Sequence, residues 1–144
     1  MTQWDAFINF FTYLGISIPI LVLGVVVFAV TTPYPEFQML KEASQMDDAS
    51  KVAAGKAAAY DLSGKILGLT IVLASAILSA QNIVDFIIWG VIGVVFQVLV
   101  FYLFHLITPF SVIKEIPKGN VSIAIFSSRI SLISSLILAA SIYY

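Results

Sequence analysis

The chain contains no cysteine, which removes disulfides, thiol nucleophiles and thiolate metal sites together. It has one histidine, His105; a lone imidazole makes a metal site only with several carboxylates beside it, so no metal site is expected. Charge is scarce too: Asp, Glu, Lys and Arg make up 10% of the 144 residues, against about 25% in soluble proteins. Seven Lys+Arg against eight Asp+Glu leave a net charge of -1, which offers no basic surface to phosphates, so no nucleic-acid partner is expected. Phosphate-cradling glycine loops, a nucleophile with its base, and paired carboxylates inside the apolar runs are also missing. Neither catalysis nor a bound cofactor is therefore expected.

What the chain does contain is apolar surface. Hydrophobic residues make up 60% of it, more than a water-soluble domain of this size can hide, so lipid is the expected solvent for most of the molecule. About 20 apolar residues suffice for a helix to cross the hydrocarbon core. Four runs meet that requirement, at about 6–30, 58–80, 86–107 and 121–144. The first carries no charge between Asp5 and Glu36, and no Lys or Arg precedes Lys41; it is read as a retained span rather than a cleaved signal peptide, which has a basic start and a shorter apolar stretch. The runs are continuously apolar, so spanning strands, which alternate, fit worse.

Orientation follows from the cations, because basic loops stay in the cytoplasm. Lys41, Lys51 and Lys56 lie in the connection 31–57, and Lys114 and Lys118 in the connection 108–120. The N-terminus, the turn at 81–85 and the C-terminus carry only Asp5 and Asp85. Both termini are thus expected outside and both long connections inside. Trp4, Trp89, Tyr143 and Tyr144 are expected at the outer interface, and Tyr34, Phe37 and Phe110 at the inner one.

The sequence also repeats itself. Thr32-Pro33 at the end of the first span recurs as Thr108-Pro109 at the end of the third, and Leu40-Lys41-Glu42 recurs as Ile113-Lys114-Glu115. A shift of 64 brings Gly55 onto Gly119, Ser63 onto Ser127 and Lys65 onto Arg129, and a shift of 76 brings Phe10 onto Phe86 and Phe28 onto Phe104. Two helices per unit means that both copies enter the membrane the same way, related by an axis along its normal. The expected fold is all-α: four transmembrane helices in two parallel-topology helical hairpins, 1–80 and 81–144.

Several of these residues carry a family resemblance. Thr32-Pro33 with Glu36-Phe37-Gln38-Met39-Leu40-Lys41, then Ser63-Gly64-Lys65-Ile66-Leu67-Gly68, then Asp85-Phe86, Trp89-Gly90 and Gln97 resemble the bacterial inner-membrane proteins of the YjfL type (domain of unknown function 350). The resemblance implies four helices in two tandem copies, a place in the cytoplasmic membrane, and an association with envelope stress. It supplies no reaction. The chain departs from that pattern in a longer first connection containing Asp47-Asp48, and in having Lys65 and Arg129 where small or polar residues are usual.

Lys65 and Arg129 are the sharpest functional candidates, since a cation deep in the bilayer costs about 2.5 to 3.5 kcal/mol on insertion scales. Snorkelling of both to the inner headgroups is the favoured expectation; the alternative brings them together near the repeat axis to line a pathway. Asp61, four residues before Lys65, is placed to pair with it. Gln97, Asn9 and Ser17 are expected to face other helices, because lipid leaves them unsatisfied. Gly64 with Gly68, echoed by Ser127 and Ser131, forms a small-xxx-small pattern that lets backbones approach. Pro19 is expected to kink the first span, and His105 to be a neutral interfacial residue. Residues 35–44 read as a short helix on the inner leaflet, with Pro35 at its first position and Phe37, Met39, Leu40 and Ala43 on its apolar side.

Two functional expectations follow. The favoured one is a non-catalytic structural or accessory membrane protein that packs in a homo-oligomer or a membrane-protein complex. The other is an ion or small-solute channel or transporter lined by Lys65, Arg129, Asp61 and Gln97.

Overall fold

A computed structural model describes residues 2–143. Four long helices, α1 (Gln3–Thr31), α3 (Ala49–Ser79), α4 (Ile83–Ile107) and α6 (Val121–Ile142), are each long and apolar enough to cross a membrane. Two short helices, α2 (Glu36–Ala43) and α5 (Val112–Glu115), lie in the connections. Among the described residues there is no strand.

Local chemistry sets the helix ends. Thr2 and Asp5 form a reciprocal capping box at the start of α1. Asp48, Asn82 and Asn120 cap α3, α4 and α6 by accepting from the backbone N–H groups of Ser50, Asp85 and Ile123, as short polar side chains do at N-caps. Both α1 and α4 stop at a threonine followed by proline, Thr32-Pro33 and Thr108-Pro109, because the residue before proline is pushed out of the helical region. Gly119 turns α5 into α6 at φ +85, and a Cβ there would also lie 2.8 Å from Ala53 on α3, so both backbone and space require glycine.

α3 begins nine residues earlier than the expected span start at 58. Its Ala-rich first turns, behind the Asp48 cap, have high helix propensity without needing lipid. The connection 31–57 is therefore largely helical. Pro35 is the N-cap of α2 rather than its first helical residue.

Contacts give the topology. Tyr13 meets Phe86, and Ile20 meets Gly90, so α1 and α4 run parallel. Gly64 meets Ser128, and the Ser75 hydroxyl donates to the Ala139 carbonyl at 2.6 Å, so α3 and α6 run parallel as well. Gln97 on α4 reaches Ser135 on α6, while Phe104 meets Phe126, an antiparallel pair. α3 is the central helix, packed against α1, α2, α4 and α6. α1 is peripheral and buries only Ile20, Gly24 and Phe28. One apolar cluster joins α1, α3 and α4 around Leu69, Leu73 and Phe86; another joins α4, α5 and α6 around Phe104, Ile116 and Ala124.

Candidate functional site

The candidate site lies where α1 ends. The loop that follows Thr32 folds back over α3, and α2 lies along the first turns of α3, close enough that a Cβ at Gly55 would lie 2.8 Å from the Met39 carbonyl oxygen. This lid covers Lys65, whose side chain is 2% exposed. Its ammonium group donates to Thr32 Oγ1 at 2.9 Å and Glu36 Oε1 at 3.1 Å, and lies 2.7 Å from Asp61 Oδ2. An ammonium has three donors, and all three have partners. The Nζ also sits 4.1 Å from the centroid of the Phe101 ring, where the ring quadrupole attracts a cation.

Asp61, fully buried, is the best furnished acid of the cluster. Besides Lys65 it accepts 2.7 Å hydrogen bonds from the Tyr34 hydroxyl and the Ser127 hydroxyl. Burial, and next the Asp61 charge, push the Tyr34 phenol far above its usual range, so Tyr34 remains a donor. Glu36 is equally inaccessible; its Oε1 accepts from Lys65, but its Oε2 has no hydrogen-bond partner among the described residues. Burial pushes the Glu36 carboxyl up to about 7; Lys65 opposes this and the neighbouring Asp61 adds to it.

One helical step further into the bundle, the Gln97 amide donates to Ser135 Oγ, and Ser135 donates to the Ser131 carbonyl at 2.7 Å. Gly68 lies directly beneath this pair: a Cβ there would lie 3.0 Å from the Gln97 side-chain carbon. At Gly64 a Cβ would lie 2.6 Å from Ser128 Cα. Gly64 and Gly68 thus line a close seam between α3 and α6, facing Ser128 and Ser135, whereas Ser127 turns to Asp61.

The structure brings Asp61, Lys65 and Ser127 together and keeps Arg129 apart. Arg129 is exposed on the outside of α6, so the two cations do not meet. The expectation of a snorkelling Lys65 is corrected: the 32–36 segment and α2 close the route to the headgroups, and three polar groups hold the ammonium inside. Tyr34 is likewise not an interface marker but an interior donor, and Glu36 is on the packed side of α2 rather than its polar face. Asn9, expected to face another helix, is exposed near the start of α1; Ser17 donates to the Tyr13 carbonyl of its own helix at 2.6 Å. Tyr144 falls outside the described residues. His105 is half-buried.

Thr32, Tyr34 and Glu36 were not singled out from sequence as interior polar residues. The signal available was a comparison of the two connections: 76 residues on from Glu36 stands Val112, and both open a short helix and are buried. An apolar residue at the equivalent place marks the position as interior.

A family model described as Domain of Unknown Function (DUF350) matches residues 1–142. The UPF0719 inner membrane protein YjfL of Escherichia coli K12 is 28% identical over 136 residues, covering 94% of each chain. The UPF0719 transmembrane protein YshE of Bacillus subtilis is 28% identical over 131 residues, covering 90% of each. No solved structure matches. With four spanning helices of this length and relatives so named over nearly their whole length, the chain belongs to the DUF350 family and is a multi-pass protein of the bacterial inner membrane.

Proposed function

We propose that the protein is a non-catalytic structural or accessory component of the membrane. It acts as a rigid four-helix unit made of two tandem hairpins, 1–80 and 81–144, with parallel topology and both termini outside. The observation that carries this reading is what the interior polar groups do: Lys65, Asp61 and Gln97 each bond a side chain from a different helix, Glu36 on α2, Ser127 on α6 and Ser135 on α6. Such bonds fasten helices to one another in lipid. The repeat is supported by the element order, long-short-long twice over, and by the contact of residues 64 apart, Ser75 with Ala139. In this reading the protein packs in a homo-oligomer or a larger membrane complex, and its envelope-stress role is the one the resemblance implies.

Native mass spectrometry of the detergent-solubilised protein tests the proposal. A stable homo-oligomer or hetero-complex supports it, and a strictly monomeric species released from mild detergent overturns it. A second reading, passage of an ion or small solute between copies, is favoured by the exposed Arg129 on the outer face of α6. Ion flux in proteoliposomes that is lost on Arg129→Leu selects that reading; absence of flux in the wild type removes it.

A further inference from the structure

Three ionisable groups meet in one closed space: the Lys65 ammonium and the Asp61 and Glu36 carboxylates, each no more than 2% exposed. Fully ionised, they leave one uncompensated negative charge, which a low-dielectric interior disfavours strongly. The hydrogen bonds are distributed as unevenly as the charge. Asp61 receives three donors, and Lys65 has used all of its own. Glu36 keeps Oε2 without a partner. A further cation would relieve the excess charge, but the crevice beside Lys65, lined by Phe28, Thr31, Val98 and Phe101, does not admit even a water molecule. A proton is the cation that needs no room.

We propose that the cluster of Thr32, Tyr34, Glu36, Asp61, Lys65 and Ser127 is a binding site for one proton, and that Glu36 is the group that takes it. Glu36 faces Lys65 and Asp61 from α3 and Tyr34 from the preceding loop. α6 contributes only the neutral Ser127, and α4 contributes Phe101, with Tyr102 behind Tyr34. With its proton in place the cluster is neutral, and Glu36 can donate to its neighbour Asp61. The group sits on α2, an element that covers the bundle without spanning it, so the proton exchanges with one side of the membrane. Proton loss leaves the excess charge under α2 and weakens its docking. This inference concerns the state of the site and holds whether or not the chain assembles with a partner.

Infrared difference spectroscopy of the full chain in lipid nanodiscs tests it. The wild type should show a protonated-carboxyl band that disappears as pH rises through about 7. Carbon-13 labelling of glutamate should move that band, which identifies it as glutamate without any substitution. Glu36→Gln should abolish it. Asp61→Asn, which removes the neighbouring negative charge, should lower its midpoint by about one pH unit or more. A wild-type spectrum with no glutamate carboxyl band at pH 6, or a band unchanged in Glu36→Gln, overturns the proposal. If Glu36→Gln fails to fold, the labelled wild-type spectrum decides alone.

Discussion

The two halves of the molecule have the same order of elements and opposite interiors at the same place. After α1 the first half sets Thr32, Tyr34 and Glu36 over Asp61 and Lys65. At the corresponding positions after α4 the second half has Thr108, Phe110 and Val112, with Ile125 and Arg129 on α6. Val112 is as buried as Glu36, while Arg129 is exposed where Lys65 is enclosed. The acid of the second connection, Glu115, is bound locally, by Asn120 at 3.0 Å and Lys118 at 2.9 Å, and these bonds hold its carboxyl below the usual range. One connection is closed by apolar contact and the other by charge. The apolar version closes its connection without ions, so in the first half the ions fasten the helices and also carry a titratable charge that the second half lacks at this place.

The comparison can be broken most severely at Lys65. Lys65→Met should destabilise the protein by about 3 to 5 kcal/mol, because two buried acids lose their only cation; thermal unfolding in mild detergent would show it. If the loss is below 1 kcal/mol, the halves do not differ in the way described. Next comes the seam that both halves share. Gly64→Leu should cost about 1 to 3 kcal/mol through overpacking against Ser128, read by the same melts.

A third test uses pH. The folded carboxyl of Glu36 lies above its ordinary value, so this group's contribution is fully present at acidic pH and is lost as pH rises through about 7. Amide exchange in α2, corrected for intrinsic rates, should therefore quicken from pH 6 to pH 8, while α5, whose equivalent residue is Val112, should not change. Equal responses in both short helices would remove the distinction.

Smaller effects follow. Tyr34→Phe, which copies Phe110, removes one buried hydrogen bond to Asp61 and should cost about 1 kcal/mol. Arg129→Leu, at an exposed position, should stay within about 0.5 kcal/mol of wild type. Both are measurable by the same unfolding series.

Much of the fold was legible in the chain because it depends on local quantities. Apolar run lengths located the four spans, the second only when extended back through Asp61 and Lys65 and the fourth across Arg129, and the two Thr-Pro pairs located the ends of α1 and α4. The Asp61 and Lys65 pairing followed from a helical spacing of four. What could not be read was Glu36 beneath α2, since on its own short helix it looks like an ordinary polar-face residue. Nor could the early start of α3 at Ala49, which lipid-length arguments do not reach.

Composition and run length by themselves determined that this protein lives in lipid as helices, because backbone polar groups in a bilayer must be satisfied internally, and continuously apolar runs of about 20 residues do so as helices rather than as the alternating strands of a barrel. Only the tertiary structure decided that Lys65 is sealed and Arg129 is not. Which of the two cations turns inward depends on whether the loop and short helix folded over it supply acceptors, and for Lys65 those acceptors come from residues about 30 positions away.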